Sequence, residues 1–299
     1  MSLWAFCNYI SLISNLLFWR IHMGVGVARK EVTRTDVTTL PIKATTVLTR
    51  QDLVDLVQGK FIALCITDYY PKWLCEQLCK RLLKLPEFAR YLRAQNVGVQ
   101  RTGMTFFETK GDPRLLEQYY AEAQRMRTTI RNTCFPYLSP IDKLRVELEE
   151  VWFAGARLEN IHGQPMMVGI ARMFEDSFEL PPHQDVLARD IVDNSSDGLL
   201  LSQLSANIYL REAKFGGELE IWGIKPSYQE FLKLACDDLH FDQNKLPPSQ
   251  VLYKPRAGDL VLFDSGRVHA VRPSKQGPRV SMSCFVGYRG QNMPLTYWS

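Results

Sequence analysis

The chain has 299 residues, 46% of them hydrophobic and 23% charged, which belongs to a folded protein with a full core and excludes a disordered or low-complexity one. Its 36 basic and 32 acidic residues leave a net charge of +4, spread along the chain. No basic stripe interleaved with aromatics occurs, so no nucleic-acid partner is expected.

Taken in chain order, residues 3–19 form an uncharged, mostly apolar run closed by Arg20. A membrane span needs about 20 apolar residues, and this run is diluted by Asn8, Ser11, Ser14 and Asn15. It lacks the basic start and small-residue cleavage site of a secretory signal. Residues 1–22 are set apart as an apolar leader, either an upstream extension of the reading frame or a helix packed on the body or a partner. Membrane association would rest on that segment alone. Residues 39–49 read as extended or irregular, 51–57 as a short helix and 61–67 as an apolar strand. Pro71 sits where a helix begins, and residues 73–85 then carry Leu74, Leu78, Leu82 and Leu83 at helical spacing. Residues 113–156 continue the helical pattern, divided by Pro136 and Pro140 into two or three helices.

Near residue 160 the pattern changes. Residues 166–174, 199–210, 218–222, 250–253, 260–263, 268–271 and 280–288 are short β-prone segments between Gly, Pro, Asp and Ser. One helix, 227–234, interrupts them. The expected fold class is α+β, with a mainly helical region (23–159) packed against an all-β region (160–299). Seven cysteines, an odd number with no Cys-x-x-Cys pair, read as reduced thiols of a cytoplasmic protein and not as a disulfide framework or zinc site.

The residues that carry chemistry are His183, Asp185 and His269. Side chains two apart on an extended backbone point to the same side, so His183 and Asp185 can reach one metal. Pro181 and Pro182 favour that extended approach. His269 must arrive from a distant strand, which paired strands can deliver. Two imidazoles and one carboxylate are the facial ligand set of non-haem iron(II). Arg279, ten residues after His269, suits a carboxylate cosubstrate because its fork makes two parallel charge-assisted hydrogen bonds. Arg272 is the rival, at an offset that faces the opposite side of a strand. Residues 203–211 alternate polar (Gln203, Ser205, Asn207, Tyr209, Arg211) with apolar (Leu204, Ala206, Ile208, Leu210), so one face packs in a core and the other meets solvent or a polar cavity. Arg172 reads as a surface partner of Glu175 or Asp176, with an anionic substrate group as the alternative. His22, His162 and His240 read as ordinary polar residues, and Trp222 as core.

Several of these pieces, in this order, resemble one family. The segment from Leu210 to Trp222 contains Gly216-Gly217-Glu218-Leu219, Pro255 to Phe263 reads Pro-Arg-Ala-Gly-Asp-Leu-Val-Leu-Phe, and His269 is followed by Gly277-Pro278-Arg279-Val280-Ser281. Over residues 168–288 this resembles the iron(II)/2-oxoglutarate-dependent oxygenases of the prolyl-4-hydroxylase-like branch. The resemblance implies a double-stranded β-helix (jelly roll) in the C-terminal half, with iron(II) held by His183, Asp185 and His269. It implies that Arg279, with Ser281, Tyr209 and Asn207, binds the cosubstrate 2-oxoglutarate. It further implies consumption of O2, release of succinate and carbon dioxide, and hydroxylation of an unactivated carbon; a chain of this size without a peptide-recognition module is expected to act on a small molecule, an amino acid or related metabolite. Halogenases of this type omit the carboxylate ligand, and Asp185 is present. Two other readings are a non-oxidative metal-binding jelly roll, such as a cupin-like isomerase or ligand-binding module, and a peptidyl hydroxylase. Oligomeric state leaves no signature in the sequence.

Overall fold

Thr49 and Asp52 start the first helix. The Thr49 side chain accepts from the Asp52 amide and the Asp52 carboxylate accepts from the Thr49 amide at 3.2 Å, a reciprocal cap that satisfies two otherwise unpaired donors. The computed structural model describes residues 42–92, 98–191 and 199–299. The expected leader, residues 1–22, lies outside the described residues. The chain runs β1 (Ile42–Thr45), α1 (Arg50–Val57), β2 (Ala63–Ile66), α2 (Lys72–Leu82), β3 (Phe88–Arg90), β4 (Val99–Thr102), α3 (Pro113–Cys134) and α4 (Pro140–Val151). Then come β5 (Ala156–Leu158), β6 (Asn160–Ile161), β7 (Gln164–Pro165), β8 (Ile170–Phe174), β9 (Leu180–His183), α5 (Leu187–Asp190) and β10 (Ser202–Arg211). The last third holds β11 (Phe215–Gly216), β12 (Leu219–Ile221), α6 (Tyr228–Leu234), β13 (Val251–Tyr253), β14 (Leu260–Asp264), β15 (His269–Val271), β16 (Ser274–Lys275), β17 (Arg279–Tyr288) and β18 (Leu295–Trp298).

Two sheets dominate. The large one runs β1-β2-β14-β10-β17-β8-β4-β3, with β18 and β5 continuing from β17, and the small one runs β13-β12-β15-β9. The protein is thus a mixed α/β fold built on a large sheet. The region expected to be mainly helical lends β1, β2, β3, β4 and β5 to that sheet. β2 is apolar and buried throughout, so its sequence announces it. β3 and β4 are not announced, because Val99-Gln100-Arg101-Thr102 places polar residues on both sides. Arg101 can be buried there because Glu108 takes its Nε at 2.8 Å and its Nη2 at 2.6 Å.

The alternation in β10 sets the layers. Leu204, Ala206, Ile208 and Leu210 join Leu262, Val280, Met282 and Val286 on one face of the large sheet. Leu53 and Leu56 of α1, Leu74, Leu78 and Leu82 of α2, and Leu144 and Leu148 of α4 complete that core. Each such side chain contributes about 1.5–3 kcal/mol when fully buried. Gly258 lets β14 lie close under the helices. Its φ is +98°, a Cβ there would stand 2.6 Å from the Tyr70 carbonyl oxygen, and its amide donates to the Tyr209 carbonyl at 2.8 Å. The opposite face of the large sheet looks across at the small sheet. Among the described residues, no helix is long and apolar enough to cross a membrane.

Candidate metal centre

His183 ends β9 and His269 begins β15, and the two are register partners in the antiparallel small sheet. Residues 86 positions apart in sequence (183 to 269) thus become neighbours, with ring centroids 4.2 Å apart. Asp185 follows β9 by two residues. Its amide donates to the Ser265 carbonyl at 3.0 Å, and the Ser265 hydroxyl donates back to the Asp185 carbonyl at 3.0 Å. Ser265 lies in the turn between β14 and β15, so the segment that leads into His269 also fixes Asp185.

The donor atoms converge. His269 Nε2 stands 3.3 Å and His183 Nε2 3.9 Å from the Asp185 carboxylate. One ligand atom from each of the three residues lies within 4.8 Å of the others. The Nδ1 atoms face backbone carbonyls, His183 to Pro181 at 2.8 Å and His269 to Arg267 at 2.9 Å. A carbonyl only accepts, so each Nδ1 carries the proton and each Nε2 presents a lone pair. Two lone pairs and a carboxylate aimed at one point, with no donor between them, suit a cation. Burial, reinforced by the neighbouring His269, pushes the His183 imidazole down to about 3, which keeps it neutral and ligand-competent. Burial alone would raise Asp185. The neighbouring His269 and His183 imidazoles and the Arg172 guanidinium outweigh it and hold the carboxyl at about 2.

A cavity of about 660 Å³ opens beside these atoms between the two sheets. The polar row of β10, Gln203, Ser205, Asn207 and Tyr209, lines it. Arg279 and Ser281 face it from β17, on strands where Ser281 pairs with Tyr209 and Asn207 with Ser283. Arg279 is buried, its Nη2 donates to the Tyr209 hydroxyl at 3.1 Å, and its fork lies against the rings of Phe174 and Tyr209. Its Nε and Nη1 are buried with no acceptor. A buried guanidinium with two unsatisfied donors is costly unless an anion meets it. The donor set therefore fits a carboxylate here as the triad fits a metal. Asn207 donates to the Ser205 hydroxyl at 3.0 Å. Arg272, the rival, is engaged elsewhere, with its Nε and Nη2 on Glu220 at 2.9 and 3.0 Å.

Arg172 corrects the sequence-based expectation of a surface ion pair. Glu175 instead takes Arg90 and Gln100, Asp176 accepts from the Gly277 amide, and Arg172 turns into the cavity. Trp222 is core, its indole donating to the Pro247 carbonyl at 2.7 Å. His240 lines the cavity rim with Nδ1 on Asp237 at 2.9 Å. Tyr91 and Phe263 also line the cavity. Phe263 sits edge-on to His269, its ring centroid 4.9 Å away, and the period of β14 marks it. Tyr91 follows a strand too short and polar to notice.

The chain is similar in sequence and in fold to known proteins. A family model described as the 2OG-Fe(II) oxygenase superfamily matches residues 168–287. L-gamma-glutamyl-L-propargylglycine hydroxylase of Streptantibioticus cattleyicolor is 22% identical over 268 residues, 87% of this chain and 97% of that enzyme. L-isoleucine 3(1)-dioxygenase of Pantoea ananatis is 24% identical over 253 residues, 78% of this chain and 82% of that one. In fold, the chain is similar to an N-substituted L-amino acid dioxygenase from Burkholderia ambifaria, with a TM-score of 0.58, 15% identity, and coverage of 84% and 92% of the two chains.

Proposed function

We propose that this chain, whose residues 168–287 match the 2OG-Fe(II) oxygenase superfamily, is an iron(II)- and 2-oxoglutarate-dependent dioxygenase that hydroxylates an unactivated carbon of a free amino acid or a small amino-acid derivative. The two facing sheets are read as the family's double-stranded β-helix, with residues 160–299 as its core and 23–159 as support. Among the described residues the cysteines are free and mostly buried, which suits the reducing cytoplasm.

His183, Asp185 and His269 are assigned as the residues that would hold iron(II), beside the cavity that would take cosubstrate and substrate. Iron(II), when bound, supplies the oxygen chemistry that turns 2-oxoglutarate into succinate and carbon dioxide and oxidises a C–H bond. The chain's own residues bind and orient. Arg279 receives the far carboxylate of 2-oxoglutarate on Nε and Nη1, while Tyr209 holds its fork through Nη2. Ser281 and Asn207 offer short polar groups along the same wall. The Pro181 and Arg267 carbonyls keep both imidazoles in the tautomer a metal needs. Substrate class is carried over from the two sequence relatives, which are named for amino-acid compounds.

One observation carries the reading: Arg279 is buried with two orphaned donors beside a cavity that also holds two imidazoles and a carboxylate. The test is succinate formation from 2-oxoglutarate under air with added iron(II), alone and with amino acids. Wild-type turnover that disappears in His269→Ala supports it. A wild-type protein that forms no succinate and binds no 2-oxoglutarate overturns it.

A further inference from the structure

Cross-strand registers set four side chains in one row on the cavity face of the large sheet. Arg101 of β4 pairs with Arg172 of β8, Arg172 with Ser281 of β17, and Ser281 with Tyr209 of β10. Register partners share a face. The two arginines of the row are treated differently. Arg101 is neutralised by the bidentate Glu108 and lies over the Tyr91 ring. Arg172 donates Nε to the Tyr91 hydroxyl at 2.6 Å and Nη1 to the Ser283 hydroxyl, both neutral acceptors. Among the described residues no carboxylate forms an ion pair with it. The acids that act on it from a distance are committed, Glu108 to Arg101 and Asp185 to the metal centre. A guanidinium has five N–H donors, so three remain toward the cavity it lines.

Its direction separates it from the cosubstrate site. Arg279 pairs in register with Phe174, one step along the sheet from the Arg172–Ser281 pair. From that pair Arg172 reaches on to Ser283, the side away from Arg279. The two guanidinium groups therefore diverge, and one five-carbon diacid held by Arg279 leaves most of the cavity beyond it. Tyr91 and Ser283 hold the Arg172 fork in place as a planar receptor, the geometry a carboxylate matches.

We infer that Arg172 binds the carboxylate of the organic substrate and so determines that the enzyme acts on acids and rejects their neutral analogues. This rests on the oxygenase reading of the same cavity. A site built to pair a charged group discriminates strongly against an analogue that lacks it, because its own buried donors are left unpaired.

The experiment uses the iron(II)-loaded full chain. Succinate formation from 2-oxoglutarate is measured with free L-amino acids and γ-glutamyl-L-amino acids, each against its C-terminal amide. Acids are expected to accelerate turnover at least tenfold and amides not at all, a comparison that needs no variant. In Arg172→Gln the KM for the accelerating acid is expected to rise tenfold or more, with Arg172→Lys recovering part. The KM for 2-oxoglutarate and the visible absorption of the anaerobic iron–2-oxoglutarate complex stay unchanged. Amides as effective as acids, or acids that never accelerate turnover, overturn the inference. So does an Arg172→Gln variant that loses the iron–2-oxoglutarate band, since that assigns Arg172 to the cosubstrate. Loss of the band in the wild type instead fails the oxygenase reading itself and takes this one with it.

Discussion

Ser265 and Asp185 exchange two hydrogen bonds, amide to carbonyl and hydroxyl to carbonyl, each at 3.0 Å. The Ser265 amide and hydroxyl also reach the Gln203 carbonyl, at 2.8 and 3.2 Å. One buried serine thus ties a proposed metal ligand to the strand that lines the cavity and to the turn that precedes His269. Replacement of Ser265 by alanine should leave the fold intact and weaken iron(II) about 10–100-fold, the usual effect of removing a group that orients a ligand. Titration with iron(II) or a spectroscopically visible substitute ion checks it, and unchanged affinity would refute the tie.

Arg279→Gln should raise the KM for 2-oxoglutarate far more than it lowers the rate at saturation. Each charge-assisted hydrogen bond lost is worth about 1.5–3 kcal/mol, so a rise on the order of 10–100-fold or more is expected. Arg279→Lys should recover less than half of that energy, because an ammonium cannot form the parallel pair. Steady-state kinetics with varied 2-oxoglutarate decides. An unaltered KM would remove Arg279 from the site.

Acid should destabilise the chelated, metal-free protein in two stages. His183 has a folded-state pKa near 3 against 6.5 in the unfolded chain, so between those values only the unfolded state takes up the proton. Stability then falls as pH drops from about 6.5, by up to about 1.4 kcal/mol per pH unit for one proton. Asp185, held at about 2 against 3.8, adds a loss of the same sign below pH 3.8. Urea unfolding from pH 7 to 4 measures the slope, and His183→Gln should flatten it. A slope of opposite sign would show that His183 is not buried as a neutral imidazole.

Leu144 of α4 is fully buried against the large sheet on the face away from the cavity. Leu144→Ala should cost about 2–5 kcal/mol of stability. At temperatures below melting, the KM for 2-oxoglutarate should not change. Thermal melts and kinetics on the same sample test the separation of core from site. A shifted KM would mean that the two faces of the sheet are coupled.

The metal-ligand candidates were legible because their spacing obeys strand geometry. His183 and Asp185 are two apart after a Pro-Pro approach, and His269 follows a run, Leu260–Asp264, whose burial leaves little choice but a central strand. The alternation in residues 203–211 was legible too, as a period of two with polar and apolar sides. What stayed hidden was set by tertiary partners. β4 looks like a loop because its buried arginine needs a glutamate seven residues on, in a turn of its own. Arg172 looked like a surface residue because Glu175 and Asp176 stand nearby in sequence. Arg90, Gln100 and Gly277, all remote, occupy those acids and leave the arginine to turn inward.

The two-sidedness of β10, regular up to the irregularity that follows Tyr209, also bears on how this protein can vary. Inserting or deleting one residue between Ser202 and Asn207 would rotate one part of the strand against the other, turning polar side chains of the cavity row into oil and leucines toward the reacting molecules. Length changes in that strand are tolerable only in pairs, whereas its neighbouring loops carry no such parity. Diversification of specificity is therefore channelled into side-chain exchange on one flank of a strand whose length is fixed.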